Sequence, residues 1–286
     1  MKLLRHGPKG HEKPGLVDAR GTMRDLSSHL DDITNATLSP VELDRLRTLD
    51  TEHLPVVPAG TRLGAPYHGT GKFICVGLNY SDHAAESNQP VPQEPVLFAK
   101  WNSCIQGPDD PIVMPRDSTK TDWEIELGIV IGTRARYVDP ADARRHIAGF
   151  CVINDVSERE YQLERCGQWD KGKGCDTFGP IGPWLVTADE VPDPQDLRLW
   201  LDVNDKRRQE GNTRNMVFGV DFLVSYISRF TTLEPGDLIA TGTPPGVGLG
   251  QKPPVYLKAG DIVTLGIPGL GEQRQVVHAW DPALLD

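Results

Sequence analysis

Asp122-Trp123-Glu124-Ile125-Glu126-Leu127-Gly128-Ile129-Val130-Ile131-Gly132 is the stretch around which the chain is organised. Apolar residues alternate at 123, 125 and 127 and then run on without interruption, a pattern that predicts a strand. Alternate side chains of a strand share a face. Glu124 and Glu126 therefore stand together, with Trp123, Ile125 and Leu127 opposite. With the apolar set in the core, two carboxylates point into one surface or cavity, where they repel unless something positive lies between them. A hard divalent cation takes oxygen ligands and suits that place. Glu-x-Glu alone, however, fits the outer face of a half-solvated strand more often than a metal site.

Other segments carry residues that could join this pair. Ala148 to Asp155 reads as a buried strand ending in a carboxylate. Asp155 is a candidate third oxygen ligand, or the cap of a helix from Val156 to Arg165 with a mostly polar face, or both. In Leu78-Asn79-Tyr80-Ser81-Asp82-His83-Ala84-Ala85-Glu86, a short helix would make His83 and Glu86 i,i+3 neighbours. A carboxylate beside an imidazole orients it and raises its basicity, as a general base requires. The same spacing equally describes a capped surface helix with an incidental ion pair. Lys100 follows the short strand Val96 to Ala99; a lysine there is usually solvated, so it is a weak anion-binding candidate. Gln168 to Pro180 is a Gly-rich loop carrying Lys171 and Lys173, read as an anion clamp or an exposed loop. In Thr241 to Gly250, glycines permit backbone N–H groups to converge on an anion and Thr243 adds a hydroxyl. Such a loop is more often only a turn.

Composition narrows the partners. The 286 residues carry a formal net charge of −10, which argues against nucleic acid or an anionic membrane surface. An anionic substrate would need a local positive site. Cys75, Cys104, Cys151, Cys166 and Cys175 show no zinc-site spacing and fit reduced thiols. No apolar leader or membrane-spanning run is visible, so a cytoplasmic protein is expected.

Residues 1–68 read as a small N-terminal α+β domain. Two short strands are expected at Lys2–His6 and Pro14–Asp18, and short helices at Leu26–Leu30 and Ser39–Leu49. His6, His11, His29 and His53 have no metal-ligand spacing. Residues 69–286 form the main domain, with strands at Lys72–Gly77, Leu197–Val203 and Leu238–Thr241 and an amphipathic helix at Phe218–Phe230. Strands do not alternate regularly with helices, which disfavours a doubly wound sheet or a (β/α)₈ barrel. The fold class expected is α+β, mostly β, with a rolled or sandwiched sheet.

Six blocks together resemble the fumarylacetoacetate hydrolase family: residues 75–86 (Cys-Val-Gly-Leu-Asn-Tyr-Ser-Asp-His-Ala-Ala-Glu), 94–100 (Glu-Pro-Val-Leu-Phe-Ala-Lys), 123–128 (Trp-Glu-Ile-Glu-Leu-Gly), 154–159 (Asn-Asp-Val-Ser-Glu-Arg), 171–180 (Lys-Gly-Lys-Gly-Cys-Asp-Thr-Phe-Gly-Pro) and 241–248 (Thr-Gly-Thr-Pro-Pro-Gly-Val-Gly). They occur in the family's order and cover the C-terminal three-quarters. The resemblance implies a fumarylacetoacetase C-terminal-like mixed β-sandwich roll, commonly a homodimer through the large domain. It implies that Glu124, Glu126 and Asp155 hold Mg²⁺ or Mn²⁺, that His83 and Glu86 activate water, and that Lys173 steadies a developing enolate. Gln162 and Thr243 match substrate-contacting positions. The implied reaction is hydrolysis of the C3–C4 bond of a 2,4-diketo acid to pyruvate and a second acid. Length and N-terminal unit look most like members acting on 2,4-diketo-3-deoxy-L-fuconate, with pyruvate and L-lactate as products. Ureidoglycolate lyase, and keto-acid decarboxylase or isomerase chemistry on the same site, are the alternatives.

Overall fold

The computed structural model describes residues 1–81 and 91–285; His83 and Glu86 lie outside the described residues. Two large sheets make the fold. The larger runs in spatial order Met23–Asp25, Lys13–Val17, Lys2–His6, Gly179–Thr187, Ile147–Asn154, Ile125–Ile131, Leu238–Ala240, Phe73–Gly77 and Val96–Lys100, with Ile105–Gln106 paired beside Gly179–Thr187. The second runs Lys206–Asn212, Arg198–Val203, Ile262–Ile267, Gly271–His278 and Ile112–Val113. Contacts between Gly271–His278 and Gly179–Thr187, and between Arg198–Val203 and Ile125–Ile131, close one sheet over the other. Helices are few and short. The α+β, mostly β architecture expected from the sequence is the one observed.

Ile125–Ile131 and Ile147–Asn154 sit at the centre of the large sheet and are buried along their whole length. That is why their sequences read as near-continuous apolar runs rather than alternating ones. The N-terminal strands extend this sheet, since Lys2 and Leu3 pair antiparallel with Val186 and Leu185. The large sheet is also rolled. Lys100, on its edge strand, bonds Asp155 at the end of a strand four places away. A flat sheet would hold those strands about 19 Å apart at roughly 4.8 Å per step.

Three local expectations are corrected. Val156–Arg165 is not one helix: Ser157–Glu158 pairs antiparallel with Thr121–Asp122, and a wide π-helical turn spans Glu160–Glu164. Pairing to a distant strand overrode the local helical propensity, and it buries Glu158, Arg159 and Gln162, residues of the mostly polar face of the expected helix. Leu26–Leu30 makes a turn rather than a helix. The helix expected at Phe218–Phe230 is shorter, Val220–Ile227. The helix after Ser39 forms as Pro40–Arg47, with the Ser39 side chain accepting from the Glu42 N–H.

Candidate active site

Strand register builds the site. Ile147–Asn154 pairs antiparallel with Ile125–Ile131, matching Ile153 with Glu126 and Asn154 with Ile125. The next residue, Asp155, therefore falls beside Glu124, and its N–H donates to the Glu124 carbonyl at 2.8 Å. On the other side of Ile125–Ile131, Leu238–Ala240 pairs antiparallel and delivers Thr241 and Gly242 to the same end. Glu124, Glu126 and Asp155 thus present carboxylate oxygens within 4.8 Å of one another, all buried.

Three cations hold this acidic cluster in place. Lys173 Nζ donates to Glu124 Oε2 and to Asp155 Oδ2, each at 2.7 Å. Lys100 Nζ donates to Asp155 Oδ1 at 2.6 Å and to the Val156 carbonyl at 3.1 Å. Arg159 donates from Nη2 to Glu124 Oε1 at 2.6 Å and from Nε to Asp122 Oδ2 at 2.8 Å. Among the described residues no lysine bonds Glu126, which accepts from the Gly242 N–H at 2.7 Å. Burial, then Asp155 and Glu124, push its carboxyl well above the usual carboxylate range. Burial alone would lower both lysines, but Asp155, joined at Lys173 by Glu124, outweighs it and raises them. Both ammonium groups are therefore charged at neutral pH.

Mg²⁺ or Mn²⁺ fits these residues. Three converging carboxylates are the hard oxygen donors such ions prefer. Burial first, and then the repulsion of Asp155 and Glu124, raise Glu126, and a divalent cation would relieve that repulsion.

The cluster floors a cavity of about 270 Å³. Glu124, Glu126, Gln162, Lys173 and Thr243 line it, and Asp155 lies beneath, fully buried. Gln162 Oε1 accepts from Arg159 Nη1 at 3.0 Å, which turns the amide NH₂ donor toward the cavity. The Thr243 hydroxyl donates to the Ile125 carbonyl and accepts from Gln209 Nε2, both at 2.8 Å, so toward a ligand it can only accept. Lys100 differs from the solvated lysine expected. Rolling of the sheet places its side chain in the interior behind Asp155, away from the cavity lining.

Two glycine-rich loops act differently from their sequence reading. Backbone N–H groups of 241–250 do converge on anions, but on the protein's own: Gly242 on Glu126, and Gly248 and Leu249 on Asp122 at 2.7 and 3.0 Å. The Lys173 segment is a short helix, Asp170–Lys173, rather than an exposed loop. A Cβ at Gly172 would lie 2.3 Å from the Glu158 carbonyl oxygen, so glycine there permits close packing against the π turn. Lys171 points outward and donates to the Arg165 carbonyl.

Sequence reasoning left Asp122, Arg159 and Gln209 without roles. Asp122 shares strand parity with Glu124 and Glu126, which was a usable signal. Arg159 stood four residues after Asp155, inside a quoted block. Gln209 reaches in from the second sheet, accepting from the Ile125 N–H at 3.0 Å, and no local pattern marks it.

Residues 72–278 match the fumarylacetoacetate (FAA) hydrolase C-terminal family. A Burkholderia multivorans protein named only as a hydrolase is 62% identical over 280 residues, 98% of this chain and 99% of its own. Maleylpyruvate hydrolase from Sphingobium sp. SYK-6, solved in complex with manganese(II) and pyruvate, aligns with a TM-score of 0.83 at 29% identity over 98% of this chain and 100% of its own. The 2-hydroxyhepta-2,4-diene-1,7-dioate isomerase of Mycobacterium marinum aligns with a TM-score of 0.77 at 35% identity over 98% of each chain. Hydrolases and an isomerase thus share this fold, and the chain belongs to the fumarylacetoacetate hydrolase family.

Proposed function

We propose that this protein is a metal-dependent carbon–carbon bond hydrolase that cleaves the C3–C4 bond of a 2,4-diketo acid, releasing pyruvate and a second acid. One observation carries the reading: three buried carboxylates and the Lys173 ammonium meet at the floor of a single cavity. Such a floor suits a ligand that chelates a cation and then develops negative charge beside it. The manganese and pyruvate bound by the Sphingobium hydrolase support the same chemistry.

Mg²⁺ or Mn²⁺ held by Glu124, Glu126 and Asp155 would supply Lewis-acid polarisation of the 2-keto group. The protein's own residues do the rest. The Gln162 amide orients a substrate oxygen as a donor. Arg159, bound to Asp122, Glu124 and Gln162 at once, fixes the spacing between the acidic floor and that donor. In this proposal Glu86 holds His83 in the tautomer that takes a proton from water, and the hydroxide attacks the C4 carbonyl. As the C3–C4 bond breaks, the electron pair passes to the pyruvyl fragment as an enolate. Lys173, desolvated and charged, stabilises that charge as it forms. Protonation at C3 completes pyruvate. The working assembly is proposed to be a homodimer.

Pyruvate release from a panel of 2,4-diketo acids, with Mn²⁺ or Mg²⁺ and then with EDTA, tests the proposal. Release that EDTA abolishes is the expected result. No pyruvate from any diketo acid, with glyoxylate from ureidoglycolate, would replace hydrolase by lyase.

A further inference from the structure

We propose that the acyl fragment beyond the scissile bond is short and apolar, and that Phe98, Trp169 and Leu163 select it. This deepens the hydrolase reading and rests on it. The cavity has two chemically distinct halves. Its charged and hydrogen-bonding side chains are gathered at the carboxylate floor: Glu124, Glu126, Arg159, Gln162, Lys173 and Thr243. Away from the floor, the described lining side chains are apolar, apart from the Trp169 indole N–H.

The apolar half is built, and it starts where the polar half stops. Lys173 Nζ sits 5.2 Å from the centroid of the Phe98 ring. Phe98 in turn meets Trp169 edge-on, with centroids 5.3 Å apart at 62°. A Cβ at Gly77 would lie 2.7 Å from Trp169 Cζ3, so glycine at the strand end lets the indole close down on it. Leu163 follows Gln162 in the π turn and, 43% exposed, forms the rim. Val247 and Leu249 face in from the 241–250 loop, whose backbone Asp122 anchors through Gly248 and Leu249.

A tail hydroxyl placed against this wall exchanges water for hydrocarbon and meets no side-chain partner among the described residues of the wall beyond the Trp169 N–H. The volume of about 270 Å³ lies near the small end of ligand cavities, roughly 300 Å³ and upward, which favours a short tail. The expectation of 2,4-diketo-3-deoxy-L-fuconate, which yields lactate, places one hydroxyl on that tail. Propanoylpyruvate is the same skeleton without it, and both release pyruvate.

The test is kcat/KM for these two substrates with Mn²⁺, on the full-length protein and on Leu163→Gln. Leu163 is a rim residue, and an unchanged Tm will show that the variant folds. A preference of about tenfold or more for propanoylpyruvate, in line with what an apolar pocket achieves against an added hydroxyl, and its shrinkage severalfold in the variant, is expected. Equal or faster turnover of the hydroxylated substrate overturns the inference and leaves the hydrolase reading standing. No pyruvate from either substrate overturns the hydrolase reading itself, a separate and recognisable result.

Discussion

The ammonium of Lys173 stands 2.7 Å from Glu124 and 2.7 Å from Asp155, so one cation already bridges two of the three candidate metal ligands. It neutralises charge that would attract a metal, and it also lines the cavity, where the proposed reaction would have it face a developing enolate. These roles separate in Lys173→Met. Turnover of a 2,4-diketo acid should fall about 100- to 1,000-fold, the usual loss when a preorganised charge is removed. Mn²⁺ should bind severalfold tighter, because the carboxylates lose a competing cation. Titration followed by electron paramagnetic resonance measures the second effect; weaker Mn²⁺ binding would mean that Lys173 organises the carboxylates rather than competing for them.

Glu126 gives the metal-free protein a definite pH dependence. Its carboxyl is raised in the folded state by burial, Asp155 and Glu124. The folded chain therefore binds more protons than the unfolded chain at pH values between the ordinary carboxylate value and the raised one. Stability from this group is present at the acidic end and declines as pH rises through that interval. A bound divalent cation removes the penalty by replacing the proton. The rise in Tm on adding Mn²⁺ should therefore grow as pH rises above the ordinary carboxylate value. Differential scanning fluorimetry at matched ionic strength will show it; an increment that shrinks with pH would exclude this linkage.

Lys100 and Asp155 form an ion pair whose side chains are both fully buried. Removing one partner of such a pair leaves the other charge stranded, at a cost of about 3–5 kcal/mol. Lys100→Met in the metal-free protein should lose about that much in urea unfolding. Saturating Mn²⁺ should return part of it, since the ion supplies positive charge to Asp155. A variant as stable as the parent would mean that Lys173 alone neutralises Asp155.

Which of these residues could be read from the sequence follows from how each is placed. Glu124 and Glu126 were legible because strand alternation is local, and Asp155 because an apolar run visibly ends on it. Asp122 has the same parity as the two glutamates, yet the strand loses its regular pairing at Trp123 and Glu124. That break swings Asp122 toward Arg159 and the Gly248 N–H instead. Arg159 read as helical surface because nothing nearby announces that Ser157 and Glu158 pair with Thr121 and Asp122. Lys100 read as solvated because the rolling of a sheet is a property of all its strands together. The N-terminal strands were visible as strands, but not as neighbours of Gly179–Thr187. Local periodicity carried the elements and the acidic floor; long-range pairing decided what surrounds that floor.

Gly172 tests that surrounding structure without touching a charged group. The helix Asp170–Lys173 rests on the π turn so closely that a Cβ at this position would stand 2.3 Å from the Glu158 carbonyl oxygen and 2.6 Å from the Gln162 N–H nitrogen. Both are backbone atoms, so the clash cannot be relieved by rotating a side chain. Gly172→Ala must push the helix and the turn apart, at a cost of about 1–3 kcal/mol as for other overpacked sites. The same movement carries Lys173 away from Glu124 and Asp155 and shifts Gln162 on its turn. Activity should therefore fall by more than the stability loss accounts for, with kcat reduced tenfold or more at a temperature where the variant is still folded, because displacements near 1 Å are costly at a reacting centre. Urea unfolding and steady-state kinetics on the same preparation separate the two effects. A variant that loses stability but keeps the parent kcat would show that the Lys173 position tolerates movement, and would remove the packing of this glycine from the account of the site.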